Sequence, residues 1–195
     1  MPWEKTFNED KAIEAAMVLF WEKGYTDTSM ANLLEATKLT KGSFYNAFGS
    51  KKDLFIKTLL KYDLENRRAV LQELVAMDKP VQAIERFFDS MIEECSQDTD
   101  KKGCFLINTS LELNSYDKEI QKIIINALGE VETFFKQMIE LGQARGEIAQ
   151  HINPQDAARS LMGAVAGTRV LGRGIYDKAA LKALSKQAIN GIKHS

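Results

Sequence analysis

Histidine, cysteine and proline are scarce in this chain, and each scarcity closes off a class of function. The two histidines in 195 residues, His151 and His194, stand far apart and outside any cluster of other ligating side chains. No metal-ligand spacing is present, and no metal or other cofactor is expected. Glycine-rich phosphate loops and serine-nucleophile motifs are also missing. Glu93 and Glu94 are adjacent on one helix and point different ways, so they make a poor acid–base couple. An enzyme is therefore not expected. The two cysteines are too few for a disulfide scaffold and suit a reducing cytoplasm. No apolar run is long enough to span a bilayer, no charged-then-apolar leader opens the chain, and no membrane partner is expected. Only three prolines interrupt it, and no strand pattern of useful length, repeat or low-complexity segment appears. What remains is 45% hydrophobic and 27% charged, the composition of a globular protein with a sizeable core.

The most informative stretch is residues 28–55, TSMANLLEATKLTKGSFYNAFGSKKDLF. Upstream, Asn8 can cap a first helix whose apolar positions Ile13, Ala16, Met17, Phe20 and Trp21 form one stripe. Gly24 ends it. Thr28 or Ser29 can cap a second helix with Leu33 and Leu34 inward, and Thr37-Lys38-Leu39 is the turn. Thr40 can cap a third helix. Gly49 stops it, and Phe44 and Phe48, four apart, face in. Ser50 and Asp53 then make a start like a capping box. A short helix, tight turn, short helix and capped fourth start is the arrangement that places one helix in a DNA major groove.

That packing leaves Thr40, Lys41, Gly42, Ser43, Tyr45, Asn46 and Lys51 outward, with the hydroxyls of Thr28 and Ser29 at the start of the second helix. Hydroxyls, an amide and ammonium groups near helix N-termini bind phosphate oxygens. Lys41 and Ser43 can reach base edges, and Gly42 removes a side chain where backbone must approach DNA. The formal net charge is −1, so DNA affinity would depend on local placement of Lys41, Lys51 and Lys52, with Lys5, Lys38 and Lys57 as further candidates.

At these residues the chain resembles the tetracycline-repressor (TetR) family. The segment TKGSFYNAFGSKKDLF is similar to the family's recognition-helix signature, and so is the upstream AAMVLFWEKGYTDTSMANLL. The likeness covers roughly residues 8–60. The family's phosphate-touching tyrosine falls on Tyr45, and its lysine at the start of the fourth helix falls on Lys51. Asn46 stands where a histidine or similar polar group is usual. Asn32-Leu33 replaces a frequent Ile-Ala pair, and Ala47 occupies a variable position.

Beyond residue 55 the chain continues as helix: to about 77 from Ser50, from Pro80, over 103–113, from about 117 to 144, from Pro154 after an Asn cap to about 172, and roughly 178–192, with 96–102 as loop. The expected architecture is all-α, about nine helices. It comprises a helix-turn-helix DNA-binding domain over 1–55 and a larger helical ligand-binding and dimerisation domain over 56–195, with the boundary inside the fourth helix.

Small and apolar residues on the last two helices, Leu161, Gly163, Ala164, Ala166, Gly167, Ala180, Leu181, Leu184, Ala188 and Ile192, let another helix approach closely. The resemblance implies that these helices form a homodimer interface; read structurally, they complete a monomer core. It also implies an inducer cavity, for which the candidates are Tyr62, Phe88, Met91, Cys104, Phe105, Asn108, Glu112, Phe134, Met138, Met162 and Arg169, joined by Phe87, Thr109 and Ala166. The same aromatics and methionines at helical spacing also read as plain core. Glu112 and Arg169 can pair, bind an ionised ligand, or face solvent. Cys104 follows Lys101-Lys102-Gly103, where cations lower a thiol pKa. The segment KGCFLIN is similar to one in a branch of the family that senses electrophiles and oxidants. The expected function is a dimeric, ligand-released repressor on a pseudo-palindromic double-stranded operator. The alternative is a helical small-molecule carrier without sequence-specific DNA binding.

Overall fold

The computed structural model describes residues 7–193, and among these every regular element is helical. In chain order they are α1 (Glu9–Asp27), α2 (Met30–Thr37), α3 (Lys41–Phe48), α4 (Lys51–Tyr62), a π-helical turn (Asp63–Arg68), α5 (Ala69–Ala76), α6 (Pro80–Gln97), α7 (Phe105–Ser110), a 3-10 turn (Leu113–Ser115), α8 (Lys118–Ala144), α9 (Pro154–Leu171) and α10 (Lys178–Lys193). The chain divides into two compact units between Leu64 and Glu65.

In the first unit α1 packs on α2 and α4, and α3 rests on α4. Its core is Ala12, Ala16, Phe20, Leu33, Phe44, Phe48, Leu54, Phe55 and Leu59. The expected caps form. Asn8 accepts a bond from the Lys11 amide, Thr40 from the Ser43 amide and Ser50 from the Asp53 amide. Gly24 does break the helical path of α1, at φ 78° and ψ 167°, but a further turn continues to Asp27.

The stretch expected as one helix from 50 to 77 is helical throughout, yet its middle is a π turn. A π turn inserts a residue without ending the helix, so hydrophobic periodicity over the whole stretch does not register it. The unit division falls in this turn.

In the second unit α8 packs on α6 and α9, and α10 closes against the same two helices. Phe87, Phe88, Met91, Val131, Phe134, Phe135, Met138, Ile139, Leu161 and Val165 form the middle of its core. Pro80 and Pro154 occupy first turns, as expected. Asn153 caps α9, and Asp117 caps α8 through the amides of Glu119 and Ile120. The helix expected over 103–113 is shorter, only Phe105–Ser110. Gly103, at φ 71°, turns the chain before it, and the Ser110 hydroxyl donates back to the Ile107 carbonyl at 2.7 Å as it ends. Among the described residues no helix is long and apolar enough to cross a membrane.

Candidate nucleic-acid interface

The face of α3 is split by its own sequence. Phe44 and Phe48 are buried, with ring centroids 5.5 Å apart, and carry the helix into the core. Lys41, Gly42, Tyr45 and Asn46 are exposed. Tyr45 stands edge-on to Phe44 at 5.6 Å, so a core ring fixes the direction of an outer one. Nothing lies within 4 Å of where a Cβ on Gly42 would stand, so the fold itself does not require glycine there.

The Thr40 hydroxyl accepts from the Ser43 amide at 3.2 Å and donates to the Ser43 hydroxyl at 3.0 Å. The Ser43 proton is then free to point outward. Lys38 holds the turn between α2 and α3 in left-handed conformation at φ 55°. Lys51, half-buried at the start of α4, has its pKa lowered by desolvation, against a raising influence from Asp27. Its ammonium lies 4.4 Å from the centroid of the Tyr25 ring.

Thr28 leaves the candidate set. Its side chain is fully buried and its hydroxyl donates to the Gly24 carbonyl at 2.6 Å, so it has no group to offer a phosphate. Ser29 is the true cap of α2 and stays exposed. Asn32, which departs from the family's frequent residue, has a local reason. Its Oδ1 accepts from the Ser29 amide at 3.1 Å and the Ser29 hydroxyl at 2.8 Å, closing a reciprocal capping box. An Asn in place of the usual Glu or Gln was the signal for it in the sequence. Of the further lysines, Lys57 pairs with Glu9 at 3.3 Å, and Lys5 lies outside the described residues, as does His194.

The inducer candidates separate. Phe88, Met91, Phe134 and Met138 share one core cluster, with half-buried Met162 against it. Tyr62 belongs to the first unit, edge-on to Trp21 at 4.9 Å. Phe105 is buried, and Cys104 is half-buried at the N-cap of α7. The polar candidates bond locally. Asn108 donates to the Lys102 carbonyl at 2.6 Å. Glu112 is exposed past the end of α7, where the Tyr116 hydroxyl donates to it at 3.5 Å. Arg169 does not pair with Glu112; it bonds Glu94 of α6 at 2.6 Å. An open groove of about 460 Å³ runs between α6 and α10, and Phe88 alone of these candidates lines it.

This first unit is a helix-turn-helix domain whose second short helix presents an amide, an ammonium and hydroxyls outward, the geometry of a DNA-reading head. The description "Bacterial regulatory proteins, tetR family" matches residues 12–58, and "Tetracyclin repressor-like, C-terminal domain" matches residues 80–188. The chain belongs to the TetR family of transcriptional regulators. It is 31% identical over 171 residues to the HTH-type transcriptional repressor ComR of Escherichia coli (strain K12), covering 87% of this chain and 81% of that one. It is 25% identical over 189 residues to the HTH-type transcriptional repressor BdcR of the same organism, covering 96% and 92%. Among solved structures, a cysteine mutant of the TetR family regulator CifR, complexed with 26-bp double-strand operator DNA, shares the fold at a TM-score of 0.84. Identity to it is 24%, covering 96% of this chain and 98% of that one.

Proposed function

We propose that the chain is a homodimeric repressor of transcription, acting in the cytoplasm and released from its operator by a small molecule or a reactive electrophile. The observation that carries this reading is the split face of α3: two phenylalanines buried, and Lys41, Gly42, Tyr45 and Asn46 exposed on a helix too short to need them for packing. In this reading Lys41 and Ser43 reach base edges, while Ser29, Thr40, Tyr45, Asn46 and Lys51 hold phosphates and Gly42 admits the backbone. Reading DNA is the task of the first unit; dimerisation and inducer binding belong to the second.

The outer faces of α9 and α10 support the dimer. Gly163, Gly167 and Gly191 have nothing within 4 Å of where a Cβ would stand, and Val170 is exposed. A second copy can therefore approach closely, and a twofold pair matches two half-sites about one DNA turn apart. Inducer binding among Phe88, Met91, Phe134, Met138 and Met162 releases DNA if it favours the state in which the half-sites no longer fit.

The test is a genome-fragment pull-down with the purified protein, followed by footprinting at two salt concentrations. A protected pseudo-palindrome whose occupancy falls steeply with salt supports the reading. A folded protein that enriches no sequence at low salt is a carrier instead, and the reading fails.

A further inference from the structure

Lys51 stands at the first position of α4, where a cation meets the positive end of the helix dipole. A lysine stem is flexible, so an ammonium in such a place needs something to hold it. The Tyr25 ring supplies a face 4.4 Å away. Tyr25 is itself held from behind. It stacks on Phe20 at 6.1 Å with planes 27° apart and meets Phe55 at 4.8 Å, both of which are buried. Gly24, in the left-handed region at φ 78°, turns the chain at this point. The Thr28 hydroxyl, donating to the Gly24 carbonyl at 2.6 Å, closes the turn. Gly24, Tyr25, Phe20 and Phe55 thus build an aromatic platform from the end of α1 to the start of α4, with the Lys51 ammonium on its face.

We propose that Tyr25 is a positioning residue for DNA binding: its ring fixes the Lys51 ammonium beside the N-terminus of α4, preset for a phosphate oxygen. The inference rests on the DNA-binding reading of Lys51. A ring face attracts a cation by its quadrupole but carries no net charge. It therefore holds the ammonium without neutralising it, and the Asp27 carboxylate, whose charge acts on the same ammonium, is the competitor that a phosphate must outweigh. Holding the ammonium in advance also reduces the side-chain entropy lost on binding.

The test is operator affinity across a salt series, with the full-length protein and the footprinted operator. Position 25 carries Tyr, Phe or trifluorophenylalanine, each with Lys51 and with Lys51→Met. Fluorination keeps the ring's shape and drains its negative face, so the platform stays packed; thermal melting checks that it does. Tyr25→Phe should bind within about twofold of wild type, and the fluorinated ring should bind about two- to fivefold more weakly per subunit. That loss should vanish in the Lys51→Met background. Lys51→Met alone should weaken binding and lower the slope of log affinity against log salt by about one per subunit. An equal effect of fluorination in both backgrounds, or none in either, overturns the proposal. If Lys51→Met changes neither affinity nor slope while Tyr45→Ala abolishes binding, the chain still reads DNA but Lys51 and its platform do not contribute. If wild type selects no operator, the DNA-binding reading fails and this inference with it.

Discussion

Gly172 and Cys95 are in contact across the ends of α9 and α6: a Cβ on Gly172 would stand 2.9 Å from the Cys95 Sγ and 2.8 Å from the Thr168 carbonyl oxygen. Gly172 has ordinary helical dihedrals, φ −66° and ψ −10°, so the requirement for glycine is steric and not conformational. Gly172→Ala should destabilise the protein by about 1–3 kcal/mol through overpacking. Cys95→Ala in the same chain should recover part of that loss, because it removes the sulfur but leaves the carbonyl. A double-mutant cycle by urea denaturation checks the coupling; purely additive losses would disprove the contact.

Cys95 also makes stability depend on pH. Burial pushes its thiol above the ordinary value near 9, although the Arg169 guanidinium pulls the other way. The sign follows from linkage. The folded state keeps the thiol proton where the unfolded state has lost it, so stability is fully present below about pH 9 and is lost as pH rises from there through the folded pKa. Urea midpoints of wild type and Cys95→Ala measured from pH 7 to 10.5 should diverge only above about pH 9, with the wild type falling more steeply. Parallel curves would mean the thiol titrates alike in both states.

The first 55 residues were largely legible because their signals are local. Asn8, Thr40 and Ser50 cap through bonds three residues long, and Gly49 stops α3 with a γ-turn at φ 78° and ψ −58°. The two phenylalanines of α3 declare its inner face by spacing alone. What escaped was set by contacts distant in sequence. Arg169 finds Glu94 rather than Glu112 because α9 packs beside α6, 75 residues away, while Glu112 falls beyond the end of a shortened α7. Thr28 reads as a cap candidate beside Ser29, and only the turn at Gly24 shows that it is buried. The π turn at Asp63–Arg68 escaped for a different reason, since its backbone remains helical.

The capping box of α2 predicts an order of stability. Ser29→Ala removes the acceptor for the Asn32 amide and the hydroxyl donor to Asn32 together, and should cost about 1–2 kcal/mol. Asn32→Ala keeps the amide bond and loses only the return bonds, so it should cost about 0.5–1 kcal/mol. Thermal or urea unfolding of the two variants checks the order. A larger loss for Asn32→Ala would show that Ser29 is not the dominant cap.

Cys104 tests the electrophile branch of the proposed function. It is half-buried, whereas Cys95 is buried, so a quinone or mild hypochlorite should modify Cys104 first. If modification is the inducing signal, wild type should leave its operator on treatment and Cys104→Ser should stay bound. Mass spectrometry identifies the modified thiol beside the release assay. Equal release by both proteins would assign induction to another group.

Tyr45 and Lys41 should fail in different ways. Tyr45 is aimed outward by its edge-on contact with Phe44 and offers one hydroxyl, which suits a phosphate. Tyr45→Phe should therefore weaken binding by a similar factor on every operator variant and leave sequence preference unchanged. Lys41 opens α3 with no packing role, and its donor reaches into the groove in the proposed pose. Lys41→Ala should relax preference at one base pair in each half-site by about 1–3 kcal/mol and lower the salt slope by about one per subunit. Binding measured against a panel of single-base operator changes separates the two. A uniform loss for Lys41→Ala would move it to the phosphates and leave Ser43 as the base reader on α3.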